Sequence, residues 1–174
     1  MKKEFSADYI LNTKEFSDFY KIAVDFCDFI EKYKSKSNLD FLKNTRHHLL
    51  QLYNKALTLP WVDLQTNLEY GEKLDSDLFD KTVSFITERL GEKRYYWYVF
   101  DPTNENDLEP VYGDLVDDLQ DIYQDIKFSL LTFNLDKLDC KENALWQFKF
   151  DFERHWDDHC INALSAIHFF LQNE

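Results

Sequence analysis

Three glycines and three prolines are all that interrupt 174 residues, and that scarcity constrains the fold more than any motif. Both residue types supply the tight reversals that a β-sandwich needs between short strands, whereas long helices need few turns. Apolar spacing points the same way. Phe16, Phe19, Tyr20, Ala23, Phe26, Cys27 and Ile30 recur at the i, i+3, i+4, i+7 intervals of a buried helical face. They predict a first helix from a cap at Asn12 or Thr13 to about Tyr33. A second helix is expected from Ser37 or Asn38 to just before Pro60, because proline disfavours helical geometry in the residue preceding it. Leu39, Leu42, Leu49, Leu50, Tyr53 and Leu57 would form its apolar face, with Arg46 set into it, while His47 and His48 turn toward solvent. A third helix, Asp77 to Leu90, would be capped by Ser76 and stopped by Gly91 in a left-handed conformation. A fourth runs from about Gly113 to Leu131. A fifth runs from about Lys141 to Leu171, long enough for a kink or break to be expected.

Two stretches do not fit a helix. Residues 60–75 lack periodicity beyond Pro60 and read as a long loop. Arg94 to Phe100, RYYWYVF, has strand propensity, but a lone strand finds no partner in a helical protein, so it is expected to lay its aromatics on the bundle in extended form. The expected architecture is all-α: one domain over residues 1–174, a mainly up-and-down bundle of about five helices.

Composition narrows the classes of function. With 44% hydrophobic and 17% aromatic residues, the chain has enough to bury and is not disordered. A net charge of -13 argues against nucleic acid and against an anionic membrane surface, because both bind through basic side chains. A protein partner recruited by charge would be basic. Cys27, Cys140 and Cys160 are far apart and form no CxxC pair, so buried reduced thiols in a cytoplasmic protein are expected. The N-terminus lacks the apolar region of a signal peptide, and no apolar run approaches the roughly 20 residues of a membrane span. Glycine-rich phosphate loops are absent, and no cofactor is expected on the leading reading.

Unusual chemistry gathers at the C-terminal end. At 100° per residue, Leu115, Leu119, Ile122, Ile126 and Leu130 form the apolar stripe of the fourth helix. Asp114, Asp118, Asp121 and Asp125 form an acidic stripe beside it. Aligned carboxylates repel one another and invite cations. On the fifth helix, His155 and His159 stand at i, i+4 on the side shared by Phe148, Phe152, Ala163, Ala166 and Phe170, so both imidazoles are expected at the core or its edge. The connector between the two helices is short, which makes them antiparallel neighbours. Counting back from the turn sets His155 level with Asp117 and Asp118, and His159 nearer Asp114. Three readings follow. In the leading one, the histidines and aspartates form a structural polar network that includes Asp121, Asp125 and an inward Arg46, in a non-catalytic binding or interaction domain. In the alternative, His155, His159, Asp114 and Asp118 bind Zn, Fe or Mn, a reading that admits an enzyme. In the third, His155 tuned by Asp118 serves acid–base catalysis without metal.

Leu52-Tyr53 leading to Leu59-Pro60, then YVFDP at Tyr98 to Pro102, DDLxDIYxD at Asp117 to Asp125 and FxxHWxxH at Phe152 to His159 follow in an order that resembles an uncharacterised bacterial all-helical family. That family is a domain of unknown function common in Bacteroidetes-type genomes. The resemblance covers most of the chain and implies a cytoplasmic bacterial helical bundle. It implies no activity, substrate or cofactor. One departure is Asp157, where a glycine is expected after the His-Trp pair.

Overall fold

The computed structural model describes residues 3–66, 76–106, 108–135 and 137–173. Its elements in chain order are β1 (Glu4–Phe5), α1 (Ala7–Leu11), α2 (Lys14–Lys32), α3 (Asn38–Leu57), β2 (Trp61–Val62), α4 (Ser76–Leu90), β3 (Tyr95–Val99), β4 (Pro110–Asp114), α5 (Leu115–Phe133), α6 (Leu138–Asp151) and α7 (Asp157–Gln172). A π-helical turn, Phe152–Trp156, joins α6 to α7. The fold is mainly α-helical, with small strand pieces at two places.

Side chains start the helices where expected. Thr13 accepts from the Phe16 amide to cap α2, and Ser37 accepts from the Asp40 amide to cap α3, each satisfying an amide the helix leaves open. Gly91 ends α4 at φ +57°, and a Cβ there would stand 2.6 Å from Asn38 Nδ2. Asn38 in turn donates to the Leu90 carbonyl at 3.2 Å, tying α3 to the end of α4. The expected cap at Ser76 concerns a side chain outside the described residues, as do residues 67–75 of the expected loop. Within the described part of that loop, β2 pairs parallel with β1, Glu4 opposite Trp61. Beyond it, Glu142 of α6 accepts from the Gln65 and Thr66 amides at 3.1 and 3.0 Å.

The apolar face of α3 differs from the expected one. Phe41, Thr45, Leu49, Leu52 and Ala56 are buried, whereas Leu50 and Leu57 are more than half exposed. The i+4, i+4, i+3, i+4 spacing of the buried set is regular. It was hidden because Thr45 is polar and Ala56 small; Thr45 fits the core by donating its hydroxyl to the Phe41 carbonyl at 2.9 Å. Arg46 therefore lies half-buried beside this face rather than within it. His47 is exposed, as expected. His48 is not: it stacks on Phe29 with ring centroids 4.5 Å apart, and burial pulls its pKa below the usual histidine value.

Helix α5 is the axis of the bundle, packing against α2, α4, α6 and α7, while α3 fills the side between α2 and α7. Its buried residues Leu115, Leu119, Ile122, Ile126 and Leu130 join a core built around Phe19, Phe26, Phe41, Phe148 and Trp156. Among the described residues, no helix is long and apolar enough to cross a membrane.

The aromatic segment does have a strand partner. β3 pairs antiparallel with β4, with Tyr95 opposite Asp114 and Tyr96 opposite Gly113. Pro110 and Gly113 conceal β4 in the sequence, since both residues are depleted in strands. The hairpin feeds directly into α5, which starts two residues later than expected because Asp114 is its N-cap.

Candidate functional site

The last helical stretch sets the site. An uninterrupted helix would turn His155 inward with Phe152. The π-helical turn winds more residues into each turn than an α-helix does, so Trp156 takes the buried position and is fully enclosed. His155 is carried to the rim, where its side chain is 48% exposed. His159, in α7 proper, remains half-buried. The two rings lie edge to face, 5.0 Å between centroids. π-Turns within α-helices concentrate at functional sites.

Across from them, the aspartates of α5 divide their roles. His155 Nδ1 lies 2.7 Å from Asp125 Oδ2, and His159 Nδ1 lies 2.9 Å from Asp118 Oδ1. His159 Nε2 points the other way, 3.4 Å from Asp121 Oδ2. The side chains of Asp121, His155 and His159 each offer a ligand atom within 4.8 Å of the others. The acidic stripe and the histidine pair thus face each other, but in a shifted register. His159 meets Asp118 rather than Asp114, one turn further along α5. His155 meets Asp125 rather than Asp118, two turns further along. Counting residues from the connector aligns Cα atoms, whereas helical side chains lean toward their own N-terminus. On antiparallel helices both leans act in the same direction, which moves partners about one residue per helix farther along α5; the packing register of the two helices sets the rest of the shift.

Asp114 lies outside the cluster. It accepts from the Val116 amide at 2.9 Å and pairs in bidentate fashion with Arg94, at 2.7 and 2.5 Å. Arg46 takes no part either: the contacts of Asp118, Asp121 and Asp125 run to the histidines and to Tyr96. That tyrosine was not anticipated. Its hydroxyl donates to Asp118 Oδ2 at 2.5 Å, completing a chain Tyr96–Asp118–His159. The missing signal was the hairpin partner, without which the direction of Tyr96 is undefined. Gly113 makes the chain possible, because a Cβ there would stand 2.5 Å from the Tyr96 ring. Gly113→Ala is expected to push Tyr96 off Asp118 and to cost about 1–3 kcal/mol through overpacking. Urea denaturation of the variant beside wild type checks the size. The phenolic ultraviolet titration of Tyr96, now well above the usual range through burial and its bond to Asp118, checks the cause.

Electrostatics follow burial. Asp118, only 5% exposed, has its pKa raised by desolvation, with the bonds from His159 and Tyr96 pulling it down. Asp121 and Asp125 are raised by desolvation as well. Asp151 accepts from Gln147 Nε2 at 2.5 Å and is pushed up to about 7, first by burial and then by the Asp125 charge. His159 is raised, above all by its hydrogen bond to Asp118.

The model of a family described as a domain of unknown function (DUF5063) matches residues 11–173. Among solved structures, the crystal structure of a protein from Bacteroides fragilis is similar to this chain with a TM-score of 0.77 and 23% identity, over 93% of this chain and 98% of that one. At that identity the likeness is one of fold. No curated protein matches.

Proposed function

Because the chain belongs to the DUF5063 family of domains of unknown function, its role has to come from the site itself, and we propose that Asp121, His155 and His159 bind a divalent transition-metal ion. The observation that carries this is the anchoring of both imidazoles. Each has its Nδ1 held by a separate carboxylate, Asp125 for His155 and Asp118 for His159. Metal-binding histidines are held in this way: the outer carboxylate fixes the tautomer, orients the ring and makes the remaining nitrogen more basic. His159 Nε2 then faces Asp121, and Asp121, His155 and His159 each bring a ligand atom within 4.8 Å of the others. Two ligands about 2.1 Å from one tetrahedral ion stand about 3.4 Å apart, which matches the 3.4 Å between His159 Nε2 and Asp121 Oδ2.

Two nitrogens and one carboxylate suit Zn, Fe or Mn, and leave coordination positions for water or a substrate oxygen. The half-open rim supports this over a purely structural network, since an exposed ion pair adds little stability. Asp114, weighed as a ligand from the sequence, is engaged by Arg94, and Asp118 acts as the orienting carboxylate behind His159. A cytoplasmic setting is part of the same reading: Cys27, Cys140 and Cys160 are buried free thiols, which a reducing compartment maintains.

The test is elemental analysis of untagged protein after reconstitution with Zn²⁺, Fe²⁺ or Mn²⁺ and removal of excess. One ion per chain is expected, and none in His155→Ala/His159→Ala. Wild type that retains no metal from any of the three, alongside a double variant of lower thermal stability, would return the cluster to the structural reading.

A further inference from the structure

The hairpin presents a second surface, independent of the metal reading. The outward-facing residues of the hairpin are aromatic: Tyr95, Trp97 and Tyr112 are 48%, 68% and 56% exposed. They are ordered against one another, Tyr95 stacked on Tyr112 at 5.1 Å and Trp97 tilted on Tyr112 at 5.0 Å. Exposed aromatics grouped in this way mark contact surfaces more often than solvated faces. Beside them, β3 and α7 enclose a cleft of about 260 Å³, lined by Tyr96, Trp97, Ser165, Phe169, Phe170 and Asn173 among others. No β4 residue lines it, so it lies along the edge of β3 away from β4, and among the described residues β3 pairs with β4 alone.

Charge says what would cover this face. From Tyr95 to Ile126 the sequence holds nine carboxylates and no lysine or arginine, and none of either follows Arg154. The one guanidinium beneath the hairpin, Arg94, is neutralised by Asp114. The cleft lining carries no charge of its own, and Asp114, Asp118, Asp121 and Asp125 are engaged by Arg94 and the histidines; Asp101, Glu105 and Glu109, between the two strands, are carboxylates left to favour a cation beside the aromatic surface. Cations stack favourably on aromatic faces, and an extended chain can add to a free strand edge through main-chain hydrogen bonds. A second copy of a chain with net charge -13 would be repelled from it.

We infer that this face docks an extended, basic segment of a partner protein, running along the free edge of β3 with an arginine or lysine side chain seated in the cleft over Trp97 and Phe169. The probe is an octapeptide alternating valine and arginine, with a valine–glutamine octapeptide as control, titrated by calorimetry into wild type and into Trp97→Ala/Phe169→Ala. Both side chains are more than 60% exposed, so the variant should keep its circular dichroism and melting temperature. Wild type should bind the arginine peptide roughly tenfold or more tightly than the variant does, because the aromatic faces are lost while the charge is unchanged. The control peptide should bind neither. Equal affinities in wild type and variant would reduce the interaction to diffuse attraction and overturn the proposal. So would failure of the arginine peptide to bind wild type, or binding of the control as tightly. Wild type that sediments as a dimer dissociated by the double substitution would assign the face to a second copy instead, and would overturn it too.

Discussion

Trp156→Ala is expected to lose about 3–5 kcal/mol of stability, the range for emptying a large aromatic site in a core that collapses only partly. Against a total of about 5–15 kcal/mol for a domain, that is a large share. The melting temperature should fall by roughly 10 °C or more. Trp156 is fully buried, packs on Phe152 with centroids 4.7 Å apart, and is the residue around which the π-helical turn is wound. Trp156→Phe is the informative control. The indole Nε1 has no hydrogen-bond partner among the described residues, so phenylalanine forfeits volume but no polar contact and should retain most of the stability. Calorimetric unfolding of the three proteins decides it. An alanine variant melting within a degree or two of wild type would mean that the π-turn is held by something other than this side chain. If the turn relaxes to α-helix in the alanine variant, His155 should rotate off the rim, and metal retention should fall even in protein that remains folded.

On the proposal that Asp121, His155 and His159 bind metal, Asp118→Asn is expected to weaken that binding about 10- to 100-fold, the usual consequence of altering a carboxylate that orients a metal-binding histidine. The substitution keeps the shape and leaves an oxygen to accept from Nδ1, so the loss isolates the charge. The same variant gives a pH signature that does not need metal. His159 is raised above 6.5, first through its hydrogen bond to Asp118. A base raised on folding contributes stability that is fully present below its unfolded pKa and is lost as pH rises through its folded value. With asparagine in place, desolvation, the second influence on His159, opposes protonation with less to offset it. Its titration midpoint should therefore move down in an NMR titration of the imidazole protons, and the stability that wild type gains from His159 below 6.5 should shrink. An unchanged midpoint would show that Asp118 does not govern this histidine, and would remove the basis for its orienting role.

The histidine cluster and the aromatic face share one run of sequence. Tyr96 faces inward to Asp118, while Tyr95 and Trp97 on either side face outward, because successive strand residues alternate. The hairpin thus braces the histidine cluster with one face and offers aromatic surface with the other. A partner on the outer face would press on the element that positions Asp118.

How much was legible follows from the range of each interaction. Caps and the Gly91 stop are local, and Thr13, Ser37 and Gly91 could be read because a cap or a left-handed turn depends on residues within four positions. The pairing of an acidic stripe with a histidine pair was legible as well, since 3.6-residue periodicity fixes which residues share a face and a short connector fixes which faces meet. What the sequence could not supply was register and alternation between distant elements. The choice of Asp118, Asp121 and Asp125 over Asp114 depends on the packing register of two helices and on Arg94 engaging Asp114. The exposure of His155 depends on a π-turn that the demand to bury Trp156 creates. The role of Tyr96 depends on a strand partner containing the residues least typical of strands, and on the absence of a Cβ at Gly113. These are decided by packing between segments far apart in the chain, where local propensity carries no information, and only the tertiary structure brings them to one place.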